Sequence, residues 1–244
     1  MLSLPYGLPS YVFSPNWFYG FDSLIEIIAT VICALLVFYS YKCYKLTSEK
    51  RYGYFSIAFL SLTLAFIAKV IGLFGMYKPV IKQTIVGHTV QVTFKTLTLD
   101  KINAFGFSAY IILTVLGFMA LFLIVSRLTW KDKRVIAILI YLALIAAWLG
   151  IVHYQLFYLT TFVMLSLIAY SYYFNYKDIK SKNSLIVAIS FTILLISHFF
   201  FVFAIYSRTA YVLGEIIQLI GFLCLLIPFI LIFIKKPLKH NLVK

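Results

Sequence analysis

The stretch "YVLGEIIQLIGF", residues 211–222, places a carboxylate, Glu215, and an amide, Gln218, three residues apart in an otherwise apolar run. At helical spacing the two side chains share one face. Three other apolar segments carry residues of the same costly kind. Asp22 and Glu26 stand four apart in "FDSLIEIIAT", on a stripe that continues through Thr30 to Cys33; Lys69 interrupts "LAFIAKVIGLFG"; His198 interrupts "LLISHFFFVFAIY". Three acids, an ammonium, an imidazole and an amide in such segments could together bind a ligand. Ionisable groups in apolar segments face the interior and pair with one another. Glu26, Lys69, His198, Glu215 and Gln218 are therefore the candidate ligand-binding set, with His198 the first expected partner of Glu215, Glu26 and Lys69 the next candidates, and these two also able to pair with each other. The competing reading is a purely helix-joining network, since interhelical polar contacts are worth about 0.6–2 kcal/mol each. For Asp22, Glu26 and Lys69 a third reading is snorkelling toward the headgroups.

Other chemistries lack their residues. A metal site needs several ligands converging on one point. Of the four histidines, His88 falls in a loop, His240 in the tail, and His153 and His198 have no partner at i,i+4. No arrangement of Ser, His and Asp suggests an activated nucleophile, and no glycine-rich phosphate loop occurs. Cys33, Cys43 and Cys224 form no CxxC pattern and read as small apolar packing residues. The expectation is no catalytic residue, no metal and no cofactor, and a non-enzymatic protein. A haem held by His153 and His198 is kept as a third functional reading.

The elements that must position the candidate set are transmembrane helices. Of the 244 residues, 64% are hydrophobic and 11% charged, with mean hydropathy +1.02, against about 45–50% and 25% in soluble domains. Apolar runs recur at roughly the 20-residue length that crosses a bilayer. Seven spans are predicted: 21–41, 52–74, 104–126, 135–151, 155–174, 184–206 and 211–234, the fourth the shortest, with "HYQ" a tight turn into the fifth. The fold class is an all-α membrane protein, a seven-transmembrane-helix bundle. Its parts are an aromatic collar (1–20), the bundle (21–234) and a short basic tail (235–244). The amino terminus lacks the basic start of a signal peptide.

The net charge of +14 is distributed by side rather than gathered for nucleic acid. Fifteen of the twenty-one basic residues follow spans one, three, five and seven, among them Lys42, Lys45, Lys50, Arg51, Arg127, Arg134, Lys180, Lys182 and Lys235. Lysine and arginine excess marks the cytoplasmic side, so the amino terminus is predicted outside and the carboxyl terminus inside. The basic face suits anionic lipid headgroups and could receive a protein partner. In this frame every costly polar residue lies in the outer half of the bundle. The apolar midplane and inner half argue against alternating-access transport, which uses polar sites there.

Two outer pieces complete the reading. Residues 1–20, with Pro5, Pro9 and Pro15 among Tyr6, Tyr11, Phe13, Trp17, Phe18 and Tyr19, suit an interfacial collar. Residues 76–102 read as an external β-hairpin, a stiff connector rather than a lid. Val90, Val92 and Phe94 share one face, Gly87-His88 forms the turn, and the alternation slips a register to resume at Leu97 and Leu99.

Helix count, orientation and hairpin resemble the outline of microbial rhodopsins, but span seven has no lysine to attach retinal, and Lys69 is in the wrong helix. The architecture also resembles prokaryotic seven-helix membrane sensor modules. In "SPNWFYGFDSLIE" and "YKCYKLTSEKRYGYFSIAFL" the chain resembles uncharacterised archaeal-type seven-helix integral membrane proteins. The sensor resemblance implies a ligand site in the outer half and a signal passed onward. With a tail of only "KKPLKHNLVK", that signal would pass to a separate partner. The runner-up function is a structural or accessory subunit of a membrane complex.

Overall fold

The computed structural model describes residues 14–18, 20–76, 81–86, 89–94, 97–126, 133–204 and 206–235. Among these, seven helices form the body: α1 (Phe21–Thr47), α2 (Lys50–Met76), α3 (Leu97–Val125), α4 (Lys133–Val152), α5 (Tyr154–Ile179), α6 (Lys182–Val202) and α7 (Arg208–Lys235). Six are long and apolar enough to cross a membrane, and α4 contributes a shorter apolar stretch, Ala137–Val152. The chain is a multi-pass membrane protein.

The breaks from α1 to α2 and from α4 through α7 are too short for anything but antiparallel neighbours. Ser48 closes α1 in the left-handed region at φ 55°, donating its N–H to Tyr44 O. Lys180 ends α5 in the same way at φ 50°, and Ser181 then caps α6 by accepting from Ser184 N. A single extended residue, His153 at φ −132°, separates α4 from α5. The result is a ring in the order α1, α2, α3, α5, α6, α7, closed by α7 on α1, with α4 leaning on α3 and α5 from outside. One end of the ring gathers Lys45, Lys50, Arg51, Lys177, Lys180 and Lys182 and is the basic end; the other is the far end.

The tightest seam is α2 against α3. A Cβ at Gly106 would lie 2.7 Å from Ala68 O and 2.9 Å from Gly72 Cα, so only glycine lets these backbones meet, as small residues do between membrane helices. On α1 the buried stripe runs Asp22, Glu26, Ala29, Cys33, Leu36, Ser40, Cys43, spaced alternately four and three. The opposite face, with Leu24, Ile27, Val31, Leu35 and Phe38, is exposed and apolar. That pattern is expected of a helix whose outer face meets lipid rather than water.

Helix limits differ from the predicted spans where apolarity is a poor guide to hydrogen bonding. The α3 helix begins at Leu97 rather than near residue 104, and Leu97 and Leu99, read as a resumed strand, lie in its first turn. Two alternating leucines do not specify a strand. The α6 helix stops at Val202, not Tyr206, because Phe203 and Ala204 tighten into bonds to Phe200 O and Phe201 O, each 3.1 Å. Before α3, β1 (Ile81–Val86) and β2 (Thr89–Phe94) pair antiparallel, from Ile81 with Phe94 to Val86 with Thr89; the turn assigned to Gly87-His88 lies outside the described residues. Of the collar, residues 1–13 and Tyr19 lie outside them too. Asn16–Phe18 form one 3-10 turn, with Phe18 buried and Trp17 exposed.

Candidate functional site

Glu26 lies five residues into α1, Glu215 seven residues into α7, and Lys69 seven residues before the end of α2. At 1.5 Å per residue all three stand about 8–11 Å in from the far end, which is why they meet. Each belongs to the inward face of its helix: the α1 stripe; Phe59, Leu62, Phe66, Lys69, Leu73 on α2; and Tyr211, Glu215, Gln218, Phe222, Leu225 on α7. Glu26 and Glu215 are 0% exposed and Lys69 4%. The Lys69 ammonium donates to Oε1 of Glu26 and, at 2.8 Å, to Oε1 of Glu215. One ammonium thus ties three helices together.

The surroundings of Lys69 Nζ are aromatic. The ring centroids of Tyr110, Phe201 and Tyr211 lie 5.1, 5.8 and 5.9 Å from it, within the range of cation–π attraction. Phe201 reaches this position because α7 carries glycine at 214, where a Cβ would stand 2.7 Å from Phe201 Cε1. Tyr110, Phe201 and Tyr211 were not in the predicted set. Tyr211 had a signal, four residues before Glu215 on the same helix face. Tyr110 stands in the apolar run "GFSAYIILTVLG" and had none.

The acceptors outnumber the donors. Oε2 of Glu26, Oε2 of Glu215 and Oε1 of Gln218 have no hydrogen-bond partner among the described residues. If both carboxyl groups ionise, the cluster carries one negative charge more than Lys69 offsets. A buried unpaired charge is among the costliest features a protein can carry.

Two expectations are corrected. His198 is not the partner of Glu215. Its Nδ1 lies 3.0 Å from Leu194 O and 3.2 Å from Ser197 Oγ, and its ring is enclosed by Phe118, Tyr158 and Phe201 at 5.7, 6.3 and 5.6 Å. A local bond to the preceding turn outcompetes a reach across helices, because it needs no rearrangement of packed rings. Nor do Asp22, Glu26 and Lys69 snorkel: all three are buried. Asp22 Oδ1 instead accepts from Gly20 N at 3.1 Å and Ser23 N at 2.7 Å, securing the start of α1. His153, the other histidine considered for haem, is exposed at the α4–α5 break.

No group of three or more His, Cys, Asp or Glu that could hold a metal occurs among the described residues. Cavities of about 200, 370 and 380 Å³ lie elsewhere in the bundle. Among the described residues the site is a buried charged cluster: Glu26, Lys69 and Glu215 are each at most 4% exposed. Comparison of the chain with protein families, curated proteins and solved structures gives no match.

Proposed function

We propose that the chain is a non-enzymatic seven-span membrane protein whose sensor-like site is the Glu26–Lys69–Glu215 cluster, and that this site responds by taking up one further positive charge. The observation that carries the reading is the count of groups: two carboxyls share one ammonium, and Oε2 of each carboxyl, with Oε1 of Gln218 one turn along α7, has no donor among the described residues. A proton shared between the carboxyls, or a small monovalent cation among those oxygens, would offset the excess. In this reading the amino terminus and the β1–β2 pair are outside, the cluster is in the outer half, and the basic end faces the cytoplasm. There it meets anionic headgroups, and any signal passes to a separate protein partner.

Thermal unfolding of the purified protein tests the site. A ligand bound only by the folded state stabilises it, by about 2.7 kcal/mol at a hundred times its dissociation constant. The wild-type midpoint is expected to move by several degrees with pH (the proton arm) or with sodium or potassium at constant ionic strength (the cation arm). Glu215→Gln, which removes the excess charge and keeps the shape, is expected to abolish that dependence. A wild-type midpoint indifferent to both would leave the second reading, a helix-joining network. That reading is favoured by the single ammonium that bonds α2 to both α1 and α7. Orientation is tested separately. In a cysteine-free background, single cysteines at Thr47 and Asn183 should resist impermeant thiol reagents added outside intact cells; labelling of either would reverse the topology.

A further inference from the structure

The bundle interior at the basic end is not filled. A cavity of about 200 Å³ opens there between α2, α5, α6 and α7, far above the roughly 10–15 Å³ that admits one water. Its wall is apolar and aromatic, formed by Phe55, Phe59, Phe191, Leu225 and Phe229 with Tyr172. Ring contacts hold that wall in place. Tyr172 stacks on Phe191 at 5.0 Å and 8°, Phe55 stacks on Phe59 at 6.2 Å, and Phe59 meets Phe229 edge-on at 6.4 Å. Apolar cavities hold water poorly and take apolar ligands.

The rim has the opposite character. It is built from the first turns of two helices, with Arg51 and Tyr52 from α2 and Asn183 and Ser184 from α6. Both helices therefore direct their positive ends at the mouth. Arg51 is exposed and has no ion pair among the described residues; Lys50 precedes it in α2, and Lys182 precedes Asn183 in α6. Glu49 is the one acidic residue on the rim, and its carbonyl accepts from Tyr52 N at 3.1 Å. On the lining itself Arg51 and Glu49 offset one another, and the flanking Lys50 and Lys182 make the surroundings of the mouth positive over an apolar interior.

We propose that this cavity binds a single-chain anionic amphiphile of the fatty-acid class, its chain among the phenylalanines and its carboxylate at Arg51. The cavity is half open at its mouth, and its volume of about 200 Å³ suits one chain, not the two of a diacyl lipid. Ten residues of α2 separate Phe59 from Lys69, about 15 Å of helix, and Phe66 and Phe222, edge-on at 5.3 Å, fill the space between. The site is thus independent of the charged cluster.

The test uses full-length protein in zwitterionic nanodiscs and a long-chain fatty acid bearing a photoactivatable group on its chain. Saturable labelling is expected on the cavity-lining segments of α2, α6 and α7. Unlabelled fatty acid should compete, and the fatty alcohol of equal length should compete about threefold to tenfold less well. Val187→Trp, which fills the cavity, should remove the labelling. Arg51→Gln, at an exposed position where the fold is not at stake, should erase the preference for acid over alcohol. Non-saturable labelling spread over lipid-facing helix surfaces would overturn the proposal. So would equal competition by the alcohol, labelling unchanged in Val187→Trp, or preferential labelling by a photoactivatable diacyl phospholipid.

Discussion

The two ends of the ring place charge and apolarity in opposite ways. At the far end the charges are inside: Glu26, Lys69 and Glu215 are buried at the meeting of α1, α2 and α7, walled by Tyr110, Phe201 and Tyr211. At the basic end the charges are on the rim, and the interior is an apolar cavity lined by phenylalanine. Charge at a water-exposed helix end costs little and biases orientation, so it can be plentiful and individually replaceable. Charge inside the bundle costs several kcal/mol unless paired, so it must be sparse and mutually positioned. The same residue types therefore do unrelated work, and depth along the helix decides which.

That contrast can be broken by substitution, with effects that should fall in a definite order. Lys69→Met should be the largest, because it leaves two buried carboxyls without a cation; a loss of about 3–5 kcal/mol is expected, read by thermal or detergent-induced unfolding. A loss below about 1 kcal/mol would mean that the cluster is solvated or rearranges freely. Gly106→Leu comes next. It forces α2 and α3 apart where a Cβ would already stand 2.7 Å from Ala68 O, with an expected cost of about 1–3 kcal/mol or somewhat more. This value calibrates packing damage against charge damage in the same assay. Arg51→Gln at the basic rim should be the smallest, within about 0.5 kcal/mol. If it matched Lys69→Met, the distinction between rim and interior charge would fail.

Much of this was legible in the sequence, for physical reasons that also mark where legibility stopped. Six of the seven helices among the described residues are apolar runs long enough to span a bilayer and α4 is a shorter apolar one, so their existence and approximate limits follow from composition. Their ends do not: whether Leu97 starts a helix or continues a strand, and whether α6 continues past Val202, is decided by hydrogen bonds that hydropathy does not encode. The expense of a buried charge identified Glu26, Lys69 and Glu215, and equal depth explains their meeting. Partner choice was harder. His198 stands on the helix adjacent to Glu215 in sequence, but its nitrogen is satisfied one turn back, at Leu194 O. Lys69, distant in the chain, had the reach and the opposite charge. Tyr110 and Phe201 could not be singled out, because an aromatic residue in an apolar span looks the same whether it faces lipid or an ammonium. The cavity at the basic end had no sequence signal, since an empty volume is a property of packing.

The central claim is that Glu26, Lys69 and Glu215 act as one buried unit, and the unfolding free energy of a triple variant tests it most directly. Lys69→Met alone leaves two acids unpaired; Glu26→Gln/Lys69→Met/Glu215→Gln removes every charge while keeping similar shapes. If the three are one unit, the triple variant should recover at least about 2 kcal/mol of what Lys69→Met loses, because replacing a whole buried charge set costs far less than orphaning part of it. If the losses of the single substitutions simply add, so that the triple variant is less stable than Lys69→Met, the three residues are not coupled and the account is wrong.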